Sequence, residues 1–203
     1  TGSYIPAEEL ARLRAGLRDD IVLVIDAAYA EYVTRNDYTP GIELVDAGDN
    51  TVMTRTFSKI HGLAALRIGW AYCPPAIANV LERLRSPFNL SSAAQAAGAA
   101  AMEDTGHVAA SRDHNEVWLP WLSERIGALG LVVLPSAANF ILVRFPDDPA
   151  HNAAAAMDFF GARGIIPRET GGYGLPQCLR ISIGREDEVR AVVDAAADFM
   201  AGA

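Results

Sequence analysis

Residues 56–69 read Thr56-Phe57-Ser58-Lys59-Ile60-His61-Gly62-Leu63-Ala64-Ala65-Leu66-Arg67-Ile68-Gly69. A short strand is predicted over Thr51 to Arg55, so Lys59 falls just beyond a strand end, behind two hydroxyl residues. Arg67 follows eight positions later at the start of a second predicted strand, Arg67 to Cys73. This spacing gathers one amine and one anion-binding cation around a single small molecule. Lysine amines act as Schiff-base nucleophiles when their surroundings lower the pKa from about 10.4. Arginine holds phosphate bidentately, where lysine acts as a point charge. Of the 17 basic residues, Lys59 is the one lysine. A general bias toward arginine and alanine would also produce that composition, yet the position that keeps the amine is the one where a strand ends.

Upstream, the chain starts without a methionine, as the interior of a longer protein would, and enters a helix near Pro6 with Leu10, Leu13 and Leu17 on one face. Ile21 to Ile25 is a continuous β-branched run of the kind buried on both faces of a parallel sheet, and Asp26 ends it. Open α/β sheets bind ligands beyond the carboxyl ends of their strands, which is where this carboxylate falls. Such a group can keep a pyridine nitrogen protonated. Asp26, Lys59 and Arg67 together are the parts that pyridoxal-phosphate chemistry requires.

Downstream, Pro74 and Pro75 precede a predicted helix from Ala76 to Arg85, and Ser91 and Ser92 can cap a helix ending near Asp104. A long helix is predicted from Ser111 to Leu129, kinked or divided at Pro120. Beyond Gly130 the pattern gives strands at Leu131 to Leu134 and Asn139 to Phe145, a helix at Ala150 to Arg163, and strands at Ile165 to Arg168 and Leu179 to Ile183. A final helix starts at Glu186 with a Val189, Val192, Val193, Ala196, Phe199, Met200 stripe. The expectation is two domains, 1–115 and a smaller α+β domain at 116–203.

The net charge of −8 argues against nucleic acid or an anionic membrane as partner. The longest apolar runs are strand-sized, well below the roughly 18 residues of a membrane span. Cys73 and Cys178 are far apart, without metal-ligand spacing, so neither a disulfide framework nor a metal site is indicated. They read as small apolar fillers in a reducing cytoplasm.

The sequence resembles the fold-type I, aspartate-aminotransferase-like pyridoxal-phosphate enzymes, and among them is most similar to the histidinol-phosphate aminotransferases. The resemblance rests on Asp26-Ala27-Ala28-Tyr29, on Thr56 to Lys59 with Gly62-Leu63 and Arg67, on Pro135 to Phe140, on Gly164 to Arg168, and on Cys178 to Gly184. Thr1-Gly2 is similar to the end of the family's Asn-Pro-Thr-Gly turn. The implied fold is α/β: the C-terminal part of a transferase fold, a mainly parallel sheet flanked by helices, followed by a small α+β domain.

The resemblance implies that Lys59 carries the pyridoxal 5'-phosphate and shuttles the substrate Cα proton. Asp26 would pair with the pyridinium nitrogen, Tyr29 with the 3-oxygen, and Thr56, Ser58 and Arg67 with the phosphate. Arg180 would clamp the substrate carboxylate, and Arg168 is the candidate for a distal phosphate. It further implies a cytoplasmic homodimer that exchanges an amino group between histidinol phosphate and 2-oxoglutarate by a ping-pong route. Aromatic aminotransfer, phospho-amino-acid decarboxylation and an aminotransferase-like sensor domain of a transcription regulator are the alternatives. The acidic charge and the retained Lys59 argue against the last. Many members carry glutamate at the position of Ala27. The family's glycine-rich phosphate turn, ring-stacking aromatic and asparagine would precede Thr1. Without the resemblance, Asp26 reads as a turn or cap residue, Arg67 and Arg180 as surface ion pairs, and His61 as a packed or solvent-facing histidine. Gly171 to Gly174 reads as a mobile loop at the site's edge.

Overall fold

A computed structural model describes residues 1–202. They form two compact units, one of residues 4–112 and one running from Asp113 onward together with Thr1–Ser3.

The first unit contains α1 (Ala7–Gly16), β1 (Leu23–Asp26), α2 (Ile42–Asp46), β2 (Thr51–Thr56), β3 (Gly69–Tyr72), α3 (Pro75–Leu84) and α4 (Ser92–Glu103). β1 runs parallel to β2, with Asp26 opposite Thr54, and β3 turns back antiparallel to β2, with Gly69 opposite Thr56. The parallel character of this sheet is therefore carried by β1 and β2. Because they are parallel, Asp26 and the segment beyond Thr56 leave the sheet at the same edge. α4 has its cap at Ser91, whose hydroxyl accepts the Ala94 N–H at 3.1 Å.

Two local expectations change here. β1 is not covered on both faces. Its residues alternate between partly buried and exposed, with Val24 58% exposed, so among the described residues only one face of this edge strand is packed. The second strand does not begin at Arg67. Residues Ala64–Leu66 form a 3-10 turn, and Arg67 closes it with a left-handed φ of 51°. β3 then passes so close to β2 that a Cβ on Gly69 would stand 2.6 Å from the Arg55 carbonyl oxygen, so only glycine fits there.

α5 (Thr105–Ala128) starts six residues earlier than expected and runs unbroken through Pro120. Proline forgoes one helical N–H bond. Packing on both sides offsets that loss, since Asn115, Leu122 and Ile126 are buried and the Asn115 amide donates to the Ala138 carbonyl at 3.2 Å.

The second unit adds β4 (Val132–Leu134), β5 (Phe140–Arg144), α6 (Ala153–Ala162), β6 (Arg168–Glu169), β7 (Cys178–Ser182) and α7 (Glu186–Ala201). Its strands lie in the order β4-β5-β7-β6, all antiparallel. Arg168 begins β6 rather than ending a strand from Ile165. Ile141 pairs with Ile181, and Val143 with Leu179. Strand alternation sends these four side chains to one face, where they meet Leu122, Ile126, Phe160, Val189 and Phe199 in a single apolar cluster. The α7 stripe packs here as its spacing predicts, and three acidic residues in the first turn of α7 complement its dipole. Cys178 lies in the same unit, and burial pushes its thiol above the usual range. Gly2 joins the unit by accepting the Ala137 N–H at 2.8 Å.

Phe160 is fully buried in this cluster. Phe160→Ala in the full-length protein is expected to lower unfolding free energy by about 3–5 kcal/mol in urea titration, through lost transfer energy and the cavity left behind. A loss below about 1 kcal/mol would contradict the described core.

Candidate active site

The edge shared by β1 and β2 collects the first group of candidate residues. Asp26 ends β1 with its carboxylate exposed, accepting the Ala28 N–H at 3.1 Å in a tight turn. Tyr29 follows and leads into a 3-10 turn at Ala30–Tyr32. The Lys59 ammonium lies 4.9 Å from the centroid of the Tyr29 ring, within cation–π range.

The loop from Phe57 to Ile68 is closed at both ends by backbone bonds. Phe57 N–H donates to the Ile68 carbonyl at 3.1 Å, and Leu63 N–H to the Phe57 carbonyl at 2.9 Å. The Thr56 hydroxyl accepts the Ser58 N–H at 3.0 Å, which orients Ser58 as the chain leaves the strand. Because Arg67 turns back in its left-handed conformation, its guanidinium donates to the Ala64 carbonyl at 2.8 Å and to the Ser58 hydroxyl at 3.3 Å. Among the described residues no carboxylate pairs with Lys59 or Arg67. A hydroxyl and a guanidinium brought together without a counter-anion form a donor set suited to phosphate.

Behind this edge lies a pair that the sequence reading did not single out. Arg55 Nη1 stands 3.0 Å from Glu31 Oε1, with side chains only 18% and 20% exposed. The pair is a contact of charges rather than a linear hydrogen bond, and Arg55 Nε is buried without a partner. Trp70, the cross-strand neighbour of Arg55, lies with its ring centroid 5.8 Å from the guanidinium. Burial raises the nearby Tyr38 phenol, with Arg55, Glu31 and Asp26 acting on it as charges. The available signal was an arginine inside a strand, which requires a partner. His61 packs on Phe57 with ring centroids 5.0 Å apart, and its Nδ1 is buried without a hydrogen bond.

The second unit holds the other candidates. Arg168 and Arg180 are direct partners across β6 and β7, so both side chains leave the same face of the sheet, opposite to Ile181 and Leu179. The Arg180 guanidinium lies 4.7 Å from the Phe140 ring centroid, and its Nε is buried without a hydrogen-bond partner. Arg168 is exposed and donates to the Tyr173 hydroxyl at 3.2 Å. Tyr173 belongs to a 3-10 turn, Gly171–Tyr173, in the stretch expected as a loop. The turn is tied down by Thr170, whose hydroxyl lies 2.7 and 2.8 Å from the Leu175 and Cys178 carbonyls. Like charges placed directly opposite on a sheet repel one another. Two facing arginines with no carboxylate partner among the described residues are costly to the fold and suit an anion from outside the chain.

Among the described residues, no three His, Cys, Asp or Glu side chains cluster to hold a metal, and no helix is long and apolar enough to cross a membrane.

The family described as aminotransferase class I and II matches residues 1–195, and the chain belongs to it. It is 58% identical over 200 residues to the histidinol-phosphate aminotransferase of Paramagnetospirillum magneticum, covering 98% of this chain and 55% of that protein. It is 56% identical over 202 residues to the enzyme of the same name from Rhodospirillum centenum, covering 100% of this chain and 56% of the relative. The crystal structure of histidinol-phosphate aminotransferase from Sinorhizobium meliloti in complex with pyridoxal-5'-phosphate superposes with a TM-score of 0.90 at 31% identity, covering 99% of this chain and 55% of that one. The chain thus spans about half the length of the curated relatives it matches.

Arg180 carries a buried, unpaired donor beside a like charge, so it is expected to cost stability. Arg180→Met keeps the stem packed against Phe140 and should leave the thermal midpoint of the cofactor-free protein unchanged or raise its stability by up to about 2 kcal/mol. A large destabilisation in a melting experiment would mean that the guanidinium serves the fold.

Proposed function

We propose that the full-length protein is a pyridoxal 5'-phosphate-dependent aminotransferase acting on histidinol phosphate and 2-oxoglutarate, as a homodimer in the cytoplasm. The observation that carries this reading is Lys59: the one lysine of the chain, held over Tyr29 just past the edge where Asp26 also leaves the sheet, with no carboxylate pairing it among the described residues. The names of the relatives support the substrate. In this reading, residues 1–115 are the C-terminal portion of the large cofactor-binding domain and 116–203 the small domain.

The residues present fit the cofactor. Ser58 and Arg67, already joined by a hydrogen bond and lacking a counter-anion, would hold its phosphate, with Thr56 orienting Ser58. Asp26, exposed at the end of β1, would hold a proton on the pyridine nitrogen, and Tyr29 would donate to the 3-oxygen. When bound, the cofactor supplies an electron sink for the charge left on the substrate Cα.

The chain's own groups do the rest. The Lys59 amine would hold the cofactor and, as a positioned general base and acid, would take up and give back the proton of the substrate Cα. Arg180 receives the carboxylate of the oxo acid and its amino-acid product, where its buried, unpaired Nε gains an acceptor. Arg168, facing Arg180 from the neighbouring strand, takes a more distant anion such as the substrate phosphate.

Reduction with borohydride in the presence of pyridoxal phosphate should leave the pyridoxyl mass on the Lys59 peptide, and Lys59→Ala should abolish turnover. Arginine would not rescue it, because a guanidinium stays protonated. A label on another residue, or turnover by Lys59→Ala, would defeat the assignment.

Arg168→Ala should penalise histidinol phosphate by roughly 10- to 150-fold in kcat/KM through loss of a charge-assisted contact of about 1.5–3 kcal/mol, while leaving an unphosphorylated aromatic amino acid nearly unaffected. Equal losses for both substrates would remove Arg168 from phosphate recognition. A wild-type preference for phenylalanine over histidinol phosphate would leave the aromatic alternative standing.

A further inference from the structure

We propose that the largely buried Glu31–Arg55 ion pair is a positioning device that sets the Tyr29 ring against the Lys59 amine. The inference rests on Lys59 being the reactive amine for its significance, but its geometry stands on its own. Tyr29 lies between two anchors on β2. Before it, the Ala27 N–H donates to the Thr54 carbonyl at 3.0 Å. After it, Glu31 meets Arg55 at 3.0 Å. Thr54 and Arg55 are adjacent on the strand, and Lys59 is four residues further along the same chain. Between the anchors the backbone is wound tightly, with Ala30 N–H donating to the Ala27 carbonyl at 3.1 Å and Tyr32 N–H to the Tyr29 carbonyl at 3.0 Å. The second anchor removes the remaining freedom of the turn that carries the ring.

The character of the pair suits placement better than stability. Exposed pairs such as Arg18–Asp20, with side chains 76% and 67% exposed, bind weakly and leave their partners mobile. Glu31 and Arg55 are largely buried, and Trp70 holds the guanidinium from across the sheet. Burying two charges is expensive, and an ion pair that served only packing could be replaced by apolar side chains without loss. Here the cost is raised further by an Arg55 Nε with no acceptor. What an ion pair supplies that an apolar contact does not is one defined alignment of the two backbones it joins.

The test uses the full-length, cofactor-free protein with its lysines dimethylated with 13C-formaldehyde, the Lys59 signal being assigned by its loss in Lys59→Arg. A methyl group this near an aromatic face is shifted upfield by the ring current, so the Lys59 signal reports where the Tyr29 ring is. Tyr29→Leu should abolish the displacement. The double variant Glu31→Gln/Arg55→Met conserves net charge and should lose more than half of it, whereas a purely electrostatic role would leave it in place. If the double variant does not fold, Glu31→Gln alone, which keeps Arg55 on Trp70, is read in the same way. In the loaded enzyme the folded variant should lose on the order of 10–100-fold in kcat with KM changed by less than about threefold, as expected for misplacement of a reacting group. An unchanged Lys59 signal in a folded variant overturns the proposal. A borohydride label away from Lys59 would instead defeat the functional reading and leave the structural coupling intact.

Discussion

The parallel pairing of β1 with β2 is the constraint on which the candidate site of the first unit depends. Parallel strands end at the same edge, so Asp26 and the loop that carries Ser58, Lys59 and Arg67 leave the sheet together. An antiparallel pair would have sent them to opposite ends. β3 then returns close beside β2, made possible by Gly69, and fixes the far end of the loop that began at Phe57. The loop is a closed structure, and Arg67 reaches Ser58 because the chain accepts a left-handed conformation there.

Both units carry charges that their own folds do not neutralise. Lys59 and Arg67 in one, and Arg168 facing Arg180 in the other, have no carboxylate partner among the described residues. Where an ion pair is internal, as with Glu31 and Arg55, it joins the backbone around Tyr29 to the strand that leads to Lys59. On the proposed reading, the contrast is between basic groups left open to molecules from outside the chain and a cation that organises the chain. Uncompensated charge lowers stability, and natural proteins accept that loss at binding sites, where local rules of pairing and burial are broken.

Much of this was legible in the residues. The α7 stripe, the Ser91 cap and the strands β4, β5 and β7 follow from periodicity and capping chemistry, which depend on near neighbours in sequence. The unbroken α5 was not legible at Pro120, because the outcome depended on burial of Asn115, Leu122 and Ile126. The extent of β3 was not legible at Arg67, because an arginine before an apolar run reads as strand, while the 3-10 turn before it lies within a loop closed by the bonds Phe57 N–H to Ile68 carbonyl and Leu63 N–H to Phe57 carbonyl. For the site, Lys59 stood out as the only lysine and Asp26 as a carboxylate closing an apolar run. Glu31 did not stand out.

The sequence by itself determined the kind of chemistry available: one lysine amine, a carboxylate at a strand end, hydroxyls in the same segment as Arg67, and Arg168 and Arg180 in the C-terminal part. It also determined most helices and strands, since these are set by local spacing. Only the tertiary structure decided which groups meet. The register of β6 on β7 sets Arg168 opposite Arg180, the turn after Asp26 brings Tyr29 over Lys59, and the fold of the same segment joins Glu31 to Arg55. Contacts of this kind join residues distant along the chain. Which of them form is settled by strand pairing and burial rather than by the local pattern around any one residue.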